Sequence, residues 1–516
     1  MIVPGLRHFF FAVALLFAAC PLLVETPWPT RQWAVSTPDA EGMDPAVLAD
    51  LYDYLATPSF NIDSVIIVRH GRIVSEAYAA PFHAGLRHDL RSVTKSVVAT
   101  LVGAAIQEGK IASDGQRVLG FFPEHKASSP EQDALTVRHL LDMTTGIRWR
   151  EWPYDEQSDA VRLWASADWA EFILAREIAA KPGTTFQYIA AAPHLLSIIL
   201  TRSTGGNAAE YARRHLFSAM GVDDFTWASD PKGHSVGESA LRLKSRDMAK
   251  LGLLHLRQGR WEERQLLPPS WTEALFAGPG VTHGVNPGSA PPTYRSLWWT
   301  DASVPYAAAQ GRHGQHILLL PKQDLMLVVT SKTADNVRGA SASQIVQRHL
   351  LAAVKSDTAL PENAPARARL AEAMQRFASR QAFEPRLPSP VAKALSRKAF
   401  TLEPNDWNYR EFALELDASE PHYRLAQADK KAFLGQVTHG GAIGLDGRYV
   451  VSSKPVDRLW ARRGRWTDEN TFCIETQNME AAIVAEWTAH FENDLLVLTY
   501  TNGDGDALTM HGRPKD

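Results

Sequence analysis

Apolar residues recur at helical spacing in the stretch from Asp89 to Gly109. The positions that define this spacing are Val93, Val97, Val98, Leu101, Val102, Ala105 and Ile106. Residues three and four apart lie on one face of a helix, so this pattern predicts a helix that is mostly buried. Gly109 is a plausible residue for ending it. Ser92 would then stand at the start of a buried helix, with Lys95 one turn further along.

Several other stretches predict a mixture of helices and antiparallel strands. Helices are expected over 44–56, 191–203 and 246–258, and near 340–355. Residues 64–78 and 316–330 each predict two strands joined by a short turn. This order favours an α+β fold, with a sheet between helices and a helical subdomain.

The C-terminal part of the chain has a different pattern. Residues 356–395 are rich in proline around an alanine-rich segment, which predicts a linker. From residue 396 to 516, short apolar runs alternate with Gly, Asp and Asn turns, and this spacing is typical of a β-sandwich or β-barrel. We therefore expect one α+β domain over 26–355 and a separate all-β domain over 396–516.

The N-terminal 25 residues have the features of an export signal. Arg7 precedes an apolar run from Phe9 to Ala19, which is too short to span a bilayer comfortably, and Cys20 follows. Ala18, Ala19 and Cys20 resemble the end of a bacterial lipobox, so lipidation of Cys20 and a membrane tether are expected, with an uncleaved anchor or a plain cleaved signal as alternatives. The predicted location is the bacterial envelope.

Composition excludes several other functions. The net charge of the 516 residues is −3, with 54 basic and 57 acidic residues, so no basic excess indicates nucleic-acid binding. Cys473 is the second of only two cysteines, which excludes an intrachain disulfide once Cys20 is lipidated or removed, and no Cys–His spacing predicts a metal site. We expect neither a cofactor nor a metal, and no protein partner is predicted.

Ser92 and Lys95 form a candidate nucleophile and base. Their spacing places a hydroxyl and an amine on the same helical face. Burial disfavours the charged ammonium, so a neutral Lys95 could accept the serine proton, and the helix N-terminus would favour the alkoxide. Ser-x-x-Lys is the signature of penicillin-recognising enzymes. The alternative is an ordinary N-cap serine with Lys95 in solvent.

Two other serine motifs occur in the chain. Ser229 and Lys232 repeat the Ser-x-x-Lys spacing, but Pro231 and the polar surroundings predict a loop. Ser235 lies in a Gly-x-Ser-x-Gly pattern, the nucleophile elbow of α/β-hydrolases, which requires a strand before it and a helix after it. The flanking residues predict neither, so the pattern is interpreted as a coincidence.

Aromatic residues provide further candidates. Tyr188 follows a Pro-Gly turn, and a tyrosine beside such a lysine can move protons between nucleophile and leaving group; otherwise it is a half-buried core residue. Trp149, Trp152 and Tyr154 lie on a predicted loop, where they would either line a substrate cleft or seal the edge of a subdomain.

Three stretches together resemble a known family. They are 91–96 (Arg-Ser-Val-Thr-Lys-Ser), 181–188 (Lys-Pro-Gly-Thr-Thr-Phe-Gln-Tyr) and 311–315 (Gly-Arg-His-Gly-Gln). Their order is similar to that of the three motifs of serine β-lactamase-like and penicillin-binding-protein-like hydrolases. The resemblance is to class C-like members, above all 6-aminohexanoate-dimer hydrolases and related esterases, and it covers about residues 40–350.

The resemblance implies roles for individual residues. Ser92 would be the nucleophile, Lys95 its base and Tyr188 the second-motif tyrosine. The backbone N–H groups of Ser92 and Arg312 would form the oxyanion hole. His313 and Gly314, at third-motif positions, and Trp149, on the aromatic loop, are the expected substrate-binding residues.

The expected function is that of an exported serine hydrolase that acts through a Ser92 acyl-enzyme on an ester or amide, either a small molecule that is not a β-lactam or a short peptide-like substrate. The sequence departs from the family at two points: Ala190 stands where Asn is common, and the Lys-Thr-Gly motif that grips a substrate carboxylate is absent. These departures disfavour β-lactams as substrates. The alternatives are a penicillin-interactive D,D-peptidase or β-lactamase, and a catalytically inert envelope binding module.

Overall fold

The fold is described from a computed structural model of the chain. It describes residues 28–277, 280–282, 292–301, 304–334, 339–379, 388, 390–427, 440–452, 459–481, 483–492 and 494–515. The predicted export signal and Cys20 lie outside the described residues.

The strands of the N-terminal domain form one large antiparallel sheet and two small ones. Within the described residues the strands are β1 Ile62–Arg69, β2 Arg72–Tyr78, β3 Arg87–Asp89, β4 Thr226–Trp227, β5 Leu241–Lys244, β6 Arg260–Trp261, β7 Arg264–Gln265, β8 Val281–Thr282, β9 Pro292–Arg295, β10 Trp298–Asp301, β11 Ala307–Gly311, β12 Gln315–Leu320 and β13 Leu325–Ser331. The large sheet has the order β2-β1-β13-β12-β11-β10-β9-β8, while β3-β5-β4 and β6-β7 are separate.

Helices cover both faces of the large sheet. The helices of this domain are α1 Pro45–Leu55, α2 Val93–Gln107, α3 Pro130–Asp133, α4 Val137–Leu141, α5 Asp159–Trp164, α6 Trp169–Leu174, α7 Ala191–Thr204, α8 Ala208–Tyr211, α9 Ser218–Met220, α10 Ser245–Leu256, α11 Pro269–Phe276, α12 Ala342–Gln344, α13 Leu351–Ala353 and α14 Ala364–Ser379. A further helix, α15 Pro390–Leu395, packs on the C-terminal domain, where Ala392 and Leu395 are buried in its apolar core. Two π-helical segments, Ala212–Phe217 and Ile345–Leu350, continue α8 into α9 and α12 into α13.

Burial on two faces explains the unbroken apolar runs of the central strands. In β1, Ile66 and Val68 face a core shared with α2, whereas Val65 and Ile67 face a second core shared with α1. Alternate side chains of a strand point to opposite faces, so a strand covered on both sides has few polar positions. The α2 helix is therefore enclosed, with its residues from Val93 to Ala105 buried.

The segment predicted as a linker, residues 356–395, contains α14. Leu370, Ala373 and Phe377 of this helix are buried in the core around α1, and the Phe377 ring packs edge-on to Tyr52 at 5.6 Å. This part of the segment packs on the N-terminal domain as regular structure, because its alanines and leucine supply a helical apolar face.

The C-terminal domain is all-β. Among the described residues its strands are β14 Ala399–Leu402, β15 Tyr409–Glu415, β16 His422–Gln427, β17 Gly440–Ala442, β18 Val450–Ser452, β19 Trp460–Trp466, β20 Thr471–Asn478, β21 Val484–Glu492, β22 Leu495–Asn502 and β23 Ala507–Pro514. They form one antiparallel sheet in the order β17-β16-β15-β14-β23-β22-β21-β20-β19-β18. A parallel bridge from Gly444 to Arg463 brings the β17 end of the sheet back toward β19, so the sheet curls into a barrel-like form around its own apolar core.

The predicted fold class is confirmed: a mixed sheet-and-helix domain precedes a separate all-β domain. Among the described residues, no helix combines the length and apolar character needed to cross a bilayer.

Candidate active site

Ser92 and Lys95 contact each other at the start of α2. Lys95 Nζ lies 3.0 Å from Ser92 Oγ and donates a hydrogen bond of 2.7 Å to the backbone carbonyl of Glu238. The lysine is 4% exposed, so it is a buried amine and not a surface charge. The N–H of Arg91 donates to Asp89 Oδ1 at 3.0 Å, and this contact fixes the turn that presents Ser92. The geometry is that of a nucleophile beside a base.

Tyr188 closes over the same lysine. Lys95 Nζ lies 5.1 Å from the centroid of the Tyr188 ring. The ring stacks on Trp299 at 5.9 Å and packs edge-on to Tyr294 at 6.1 Å, which holds it beside the helix. The residue before Tyr188 is also anchored: Gln187 Nε2 donates a hydrogen bond to the Trp149 carbonyl at 2.6 Å. The structure therefore brings Tyr188 to Ser92 and Lys95, although it lies more than ninety positions further along the chain.

The third motif lies directly against the turn that carries Ser92. Gly311 ends β11, and a Cβ at this position would stand 2.4 Å from the Leu90 carbonyl oxygen and 3.2 Å from the Arg91 Cβ. Only glycine fits here without displacement, so the strand reaches the backbone beside Ser92. This contact places Arg312, the expected second oxyanion donor, next to the start of α2.

The Arg312 side chain lies between an aromatic pair and a carboxylate of the C-terminal domain. Its guanidinium is 5.5 Å from the ring centroids of both Trp152 and Tyr154. Its Nη1 forms an ion pair with Asp504 Oδ1 at 3.1 Å. Arg312 is therefore already engaged on two sides.

His313 and Gly314, expected to bind substrate, are directed elsewhere. The buried His313 ring contacts the Thr333 carbonyl at 2.8 Å through Nδ1 and Asp504 at 3.0 Å through Nε2. A Cβ on Gly314 would lie 2.9 Å from Ser331 Oγ, so this glycine serves the packing of the β11–β12 turn, where its φ is +89°. At these two positions the third motif forms the short turn between β11 and β12. Such a short hairpin connection requires positive φ, which both His313 and Gly314 adopt.

Trp149 also differs from the expectation that it binds substrate. Its indole is buried against Phe172 and donates to Glu151 Oε2 at 2.7 Å. The exposed aromatic of this loop is Trp152, whose ring is within 3.9 Å of Tyr154. Trp149 thus packs inside the subdomain, whereas the exposed Trp152 lies over the Arg312 guanidinium.

Sequence reasoning missed two carboxylates near Lys95. Besides accepting from Trp149, Glu151 accepts a backbone hydrogen bond from Ala190 at 2.9 Å, and burial raises the pKa of this carboxyl above its usual range. Glu238 Oε1 accepts from Trp164 Nε1 at 3.0 Å, while its buried Oε2 has no hydrogen-bond partner among the described residues. The sequence signal for Glu151 was the position of an acidic residue between the aromatic residues of its loop. No sequence signal pointed to Glu238.

The rival serines occupy loops. Ser235 is fully buried, and its hydroxyl accepts from the Ala209 N–H at 3.0 Å, so it does not open toward a cleft. No helix follows it, since the chain continues into β5. Lys232 of the second Ser-x-x-Lys pattern is exposed and lies 3.8 Å from Asp168.

The described residues show neither a metal-binding cluster nor a reactive cysteine. No cluster of three potential metal ligands occurs in the parts of the chain that the structure describes. Cys473 is buried in the barrel, and burial raises the pKa of its thiol well above the ordinary value, which disfavours the reactive thiolate.

Comparison with known proteins agrees with this geometry. A family profile described as "Beta-lactamase" matches residues 63–349. The 6-aminohexanoate-dimer hydrolase of Paenarthrobacter ureafaciens is 30% identical over 295 residues, which span 53% of this chain and 73% of that protein. Among solved structures, EstCE1, described as a hydrolase with promiscuous acyltransferase activity, has a TM-score of 0.50 at 14% identity, covering 60% of this chain and 99% of its own. The matched segment contains all three motifs, and the chain belongs to the β-lactamase family as one of its serine hydrolases.

Proposed function

We propose that this protein is an exported hydrolase that cleaves esters or amides of small molecules through an acyl-enzyme on Ser92. The observation that carries the proposal is the 3.0 Å contact between Ser92 Oγ and the buried Lys95 Nζ. A curated relative named as a 6-aminohexanoate-dimer hydrolase supports hydrolysis of a small molecule.

The contacts of Lys95 suit a base that acts as a neutral amine. A neutral amine has two N–H groups and one lone pair. One N–H donates to the Glu238 carbonyl at 2.7 Å, and this bond can turn the lone pair toward the Ser92 hydroxyl. Lys95 then accepts the proton of Ser92 as the serine oxygen attacks the substrate carbonyl carbon.

The remaining steps follow from the groups around the serine. The negative oxygen of the tetrahedral intermediate would accept hydrogen bonds from the backbone N–H groups of Ser92 and Arg312. Stabilisation of the oxyanion by such donors is often the largest single contribution to catalysis. Tyr188, beside Lys95, would give its phenolic proton to the leaving group and recover a proton from Lys95. Water then takes the place of the leaving group. It attacks the acyl carbon and gives a proton to the Lys95–Tyr188 pair, which returns a proton to Ser92 Oγ as the product acid leaves.

A β-lactamase or D,D-peptidase is the second candidate, and two observations disfavour it. The residues before Arg312 are Gln310 and Gly311, so the lysine of Lys-Thr-Gly has no counterpart there. The Arg312 guanidinium, which could have replaced it, is paired with Asp504. An inert binding module is disfavoured by the intact Ser92–Lys95 contact.

Activity-based labelling tests the proposal. A fluorophosphonate probe should label the wild-type protein and Ser235→Ala but not Ser92→Ala, and peptide mapping should place the label on Ser92. Turnover of p-nitrophenyl esters and short linear amides should fall by several orders of magnitude in Ser92→Ala. Near-native rates in Ser92→Ala would refute the assignment, and stable labelling by a fluorescent penicillin would favour the second candidate.

Export and tethering are the remaining parts of the proposal. Arg7, the apolar run from Phe9 to Ala19 and Cys20 support them, because this order is that of a lipoprotein signal. Palmitate labelling that globomycin blocks, and that Cys20→Ala abolishes, is the expected result. Recovery of unprocessed full-length protein in the cytosol would contradict export.

A further inference from the structure

The C-terminal barrel presents a preformed acidic turn to the candidate active site. The turn joins β22 to β23, and Asn502 organises it by accepting the N–H groups of Asp504 at 3.0 Å and Asp506 at 2.9 Å. Asn502 also donates to Asp506 Oδ2 at 2.8 Å. Asp506 is therefore occupied within the turn, whereas the Asp504 side chain is directed at the other domain.

Asp504 contacts two consecutive residues of the third motif. Its Oδ1 lies 3.0 Å from His313 Nε2 and 3.1 Å from Arg312 Nη1. Burial opposes the charge on this carboxyl, but the hydrogen bond from His313 and the positive charges of Arg91 and Arg312 outweigh it, so the pKa of Asp504 is lowered. The carboxylate is thus ionised at neutral pH.

The second contact of His313 strengthens this arrangement. Its Nδ1 faces the Thr333 carbonyl oxygen at 2.8 Å, which can only accept. Asp504 is an ionised carboxylate, which also only accepts. His313 thus links Asp504 of the barrel to the chain segment that follows β13.

The barrel also contacts the strand that leads to Ser92. Glu480 accepts from Arg87 Nε at 2.7 Å, and its carbonyl accepts from the Asp89 N–H at 3.1 Å. Phe82 and Leu86 of the N-terminal domain are buried against barrel residues beside these polar contacts. The barrel thus touches both backbone segments that would supply the oxyanion N–H groups.

We propose that Asp504 is a positioning and specificity-determining residue of the hydrolase site: it holds Arg312 and His313 in place and neutralises Arg312, so that the site selects acyl groups without a carboxylate. This inference rests on the proposed function of Ser92. Among the described residues, no barrel residue would then touch the reacting atoms themselves; the barrel acts through the third motif.

Charge around the cleft supports this substrate class. An unpaired arginine is the group best suited to bind a carboxylate in a bidentate manner, and its pairing with Asp504 removes that option. Specificity of this kind comes from repulsion of the wrong ligand as well as from attraction of the right one.

The test compares two esters that differ by one carboxylate, p-nitrophenyl hexanoate and mono-p-nitrophenyl adipate. The measured quantity is the ratio of kcat/KM for adipate to that for hexanoate. In Asp504→Asn the ratio is expected to rise at least tenfold over wild type, because the negative charge that Asp504 places beside the Arg312 guanidinium is removed. Asp504→Glu keeps the carboxylate and should show the wild-type ratio. In the double variant Asp504→Asn/Arg312→Gln, the rise of the ratio seen in Asp504→Asn should disappear.

Asp506→Asn is the matched control. It removes the same charge from the same turn but does not contact the third motif, so its ratio should equal that of wild type. Equal losses on both esters in Asp504→Asn, or an equal change in Asp506→Asn, would overturn the proposal. If Asp504→Asn does not fold, Arg312→Gln decides: it removes the guanidinium beside Asp504 and should lower the ratio, and an unchanged ratio would overturn the proposal.

Failure of this inference is distinguishable from failure of the proposed function. If hexanoate turnover survives in Ser92→Ala, then Ser92 is not the nucleophile and the proposed function is refuted. Hexanoate turnover that depends on Ser92, combined with an ester ratio indifferent to Asp504, refutes only the role of the barrel.

Discussion

Substitution of Gly311 by alanine would push apart the two segments that carry the oxyanion donors. Gly311 pairs with Gln315 across the β11–β12 turn and packs against Leu90. An alanine Cβ would stand 2.4 Å from the Leu90 carbonyl oxygen and 3.2 Å from the Arg91 Cβ. Both neighbours immediately precede Ser92, so relief of the clash moves either Ser92 or Arg312.

The magnitude follows from the distance. A carbon and an oxygen atom that are not bonded pack without strain at about 3.4 Å, so the two backbone segments must separate by about 1 Å, and a misplacement of about 1 Å at a catalytic group costs about 10²-fold in rate. Loss of one oxyanion donor in other hydrolases costs about 10² to 10³ in kcat. We therefore expect Gly311→Ala to lower kcat by about 100-fold, with KM for a neutral ester changing much less. Overpacking should also cost about 1–3 kcal/mol of unfolding free energy.

The assay is steady-state hydrolysis of p-nitrophenyl hexanoate together with the rate of fluorophosphonate labelling, both measured well below the melting temperature. Gly120→Ala is the control, because a Cβ there meets no atom within 4 Å. A Gly311→Ala protein that is folded and retains the wild-type kcat would refute the placement of Arg312 in the oxyanion hole.

Three further predictions concern the base, the pH dependence and a buried ion pair. Lys95→Met should lower kcat about 10³-fold with the melting temperature little changed, measured by ester hydrolysis and calorimetry; a loss below tenfold would contradict its role as base. Burial lowers the pKa of His255 and of His316 to about 4. The unfolded chain then binds more protons below about pH 6.5, so stability should fall as the pH drops from 6.5 toward 4, by about 2 kcal/mol per histidine at pH 5 in urea titrations. His255→Gln should reduce this slope. Asp63→Ala removes the carboxylate 2.9 Å from the buried Lys332 ammonium and should cost about 3–5 kcal/mol in denaturant unfolding.

Elements with a strong local signal were predictable from the sequence. The α2 helix was expected from apolar spacing, and the structure places it at Val93–Gln107 with Ser92 as its N-cap residue. The hairpins at β1–β2 and β12–β13 have short apolar runs separated by turn residues, a signal that a single sequence displays. The all-β pattern after residue 396 was clear for the same reason, since short strands recur at regular intervals.

Residues whose role depends on distant packing were not predictable in the same way. Trp149 and Trp152 stand three positions apart in one aromatic loop, yet one is buried and the other is 52% exposed. The outcome depends on Phe172 and on Glu151, which accepts the Trp149 N–H, and neither contact is encoded in the loop itself. Glu238 enters the site only through its backbone carbonyl, a group that every residue has.

The contact of His313 with Asp504 shows where motif reasoning ends, because the two residues are 191 positions apart and lie in different domains. The three motifs locate the nucleophile and its base, which are local to one domain. The charge that a substrate meets is set by Arg312, and the state of Arg312 depends on a turn of the barrel. Two chains with identical motifs can therefore prefer acyl groups of different charge if only one of them carries an acidic turn at this place. Substrate preference in such chains must be inferred from the neighbours of the third motif.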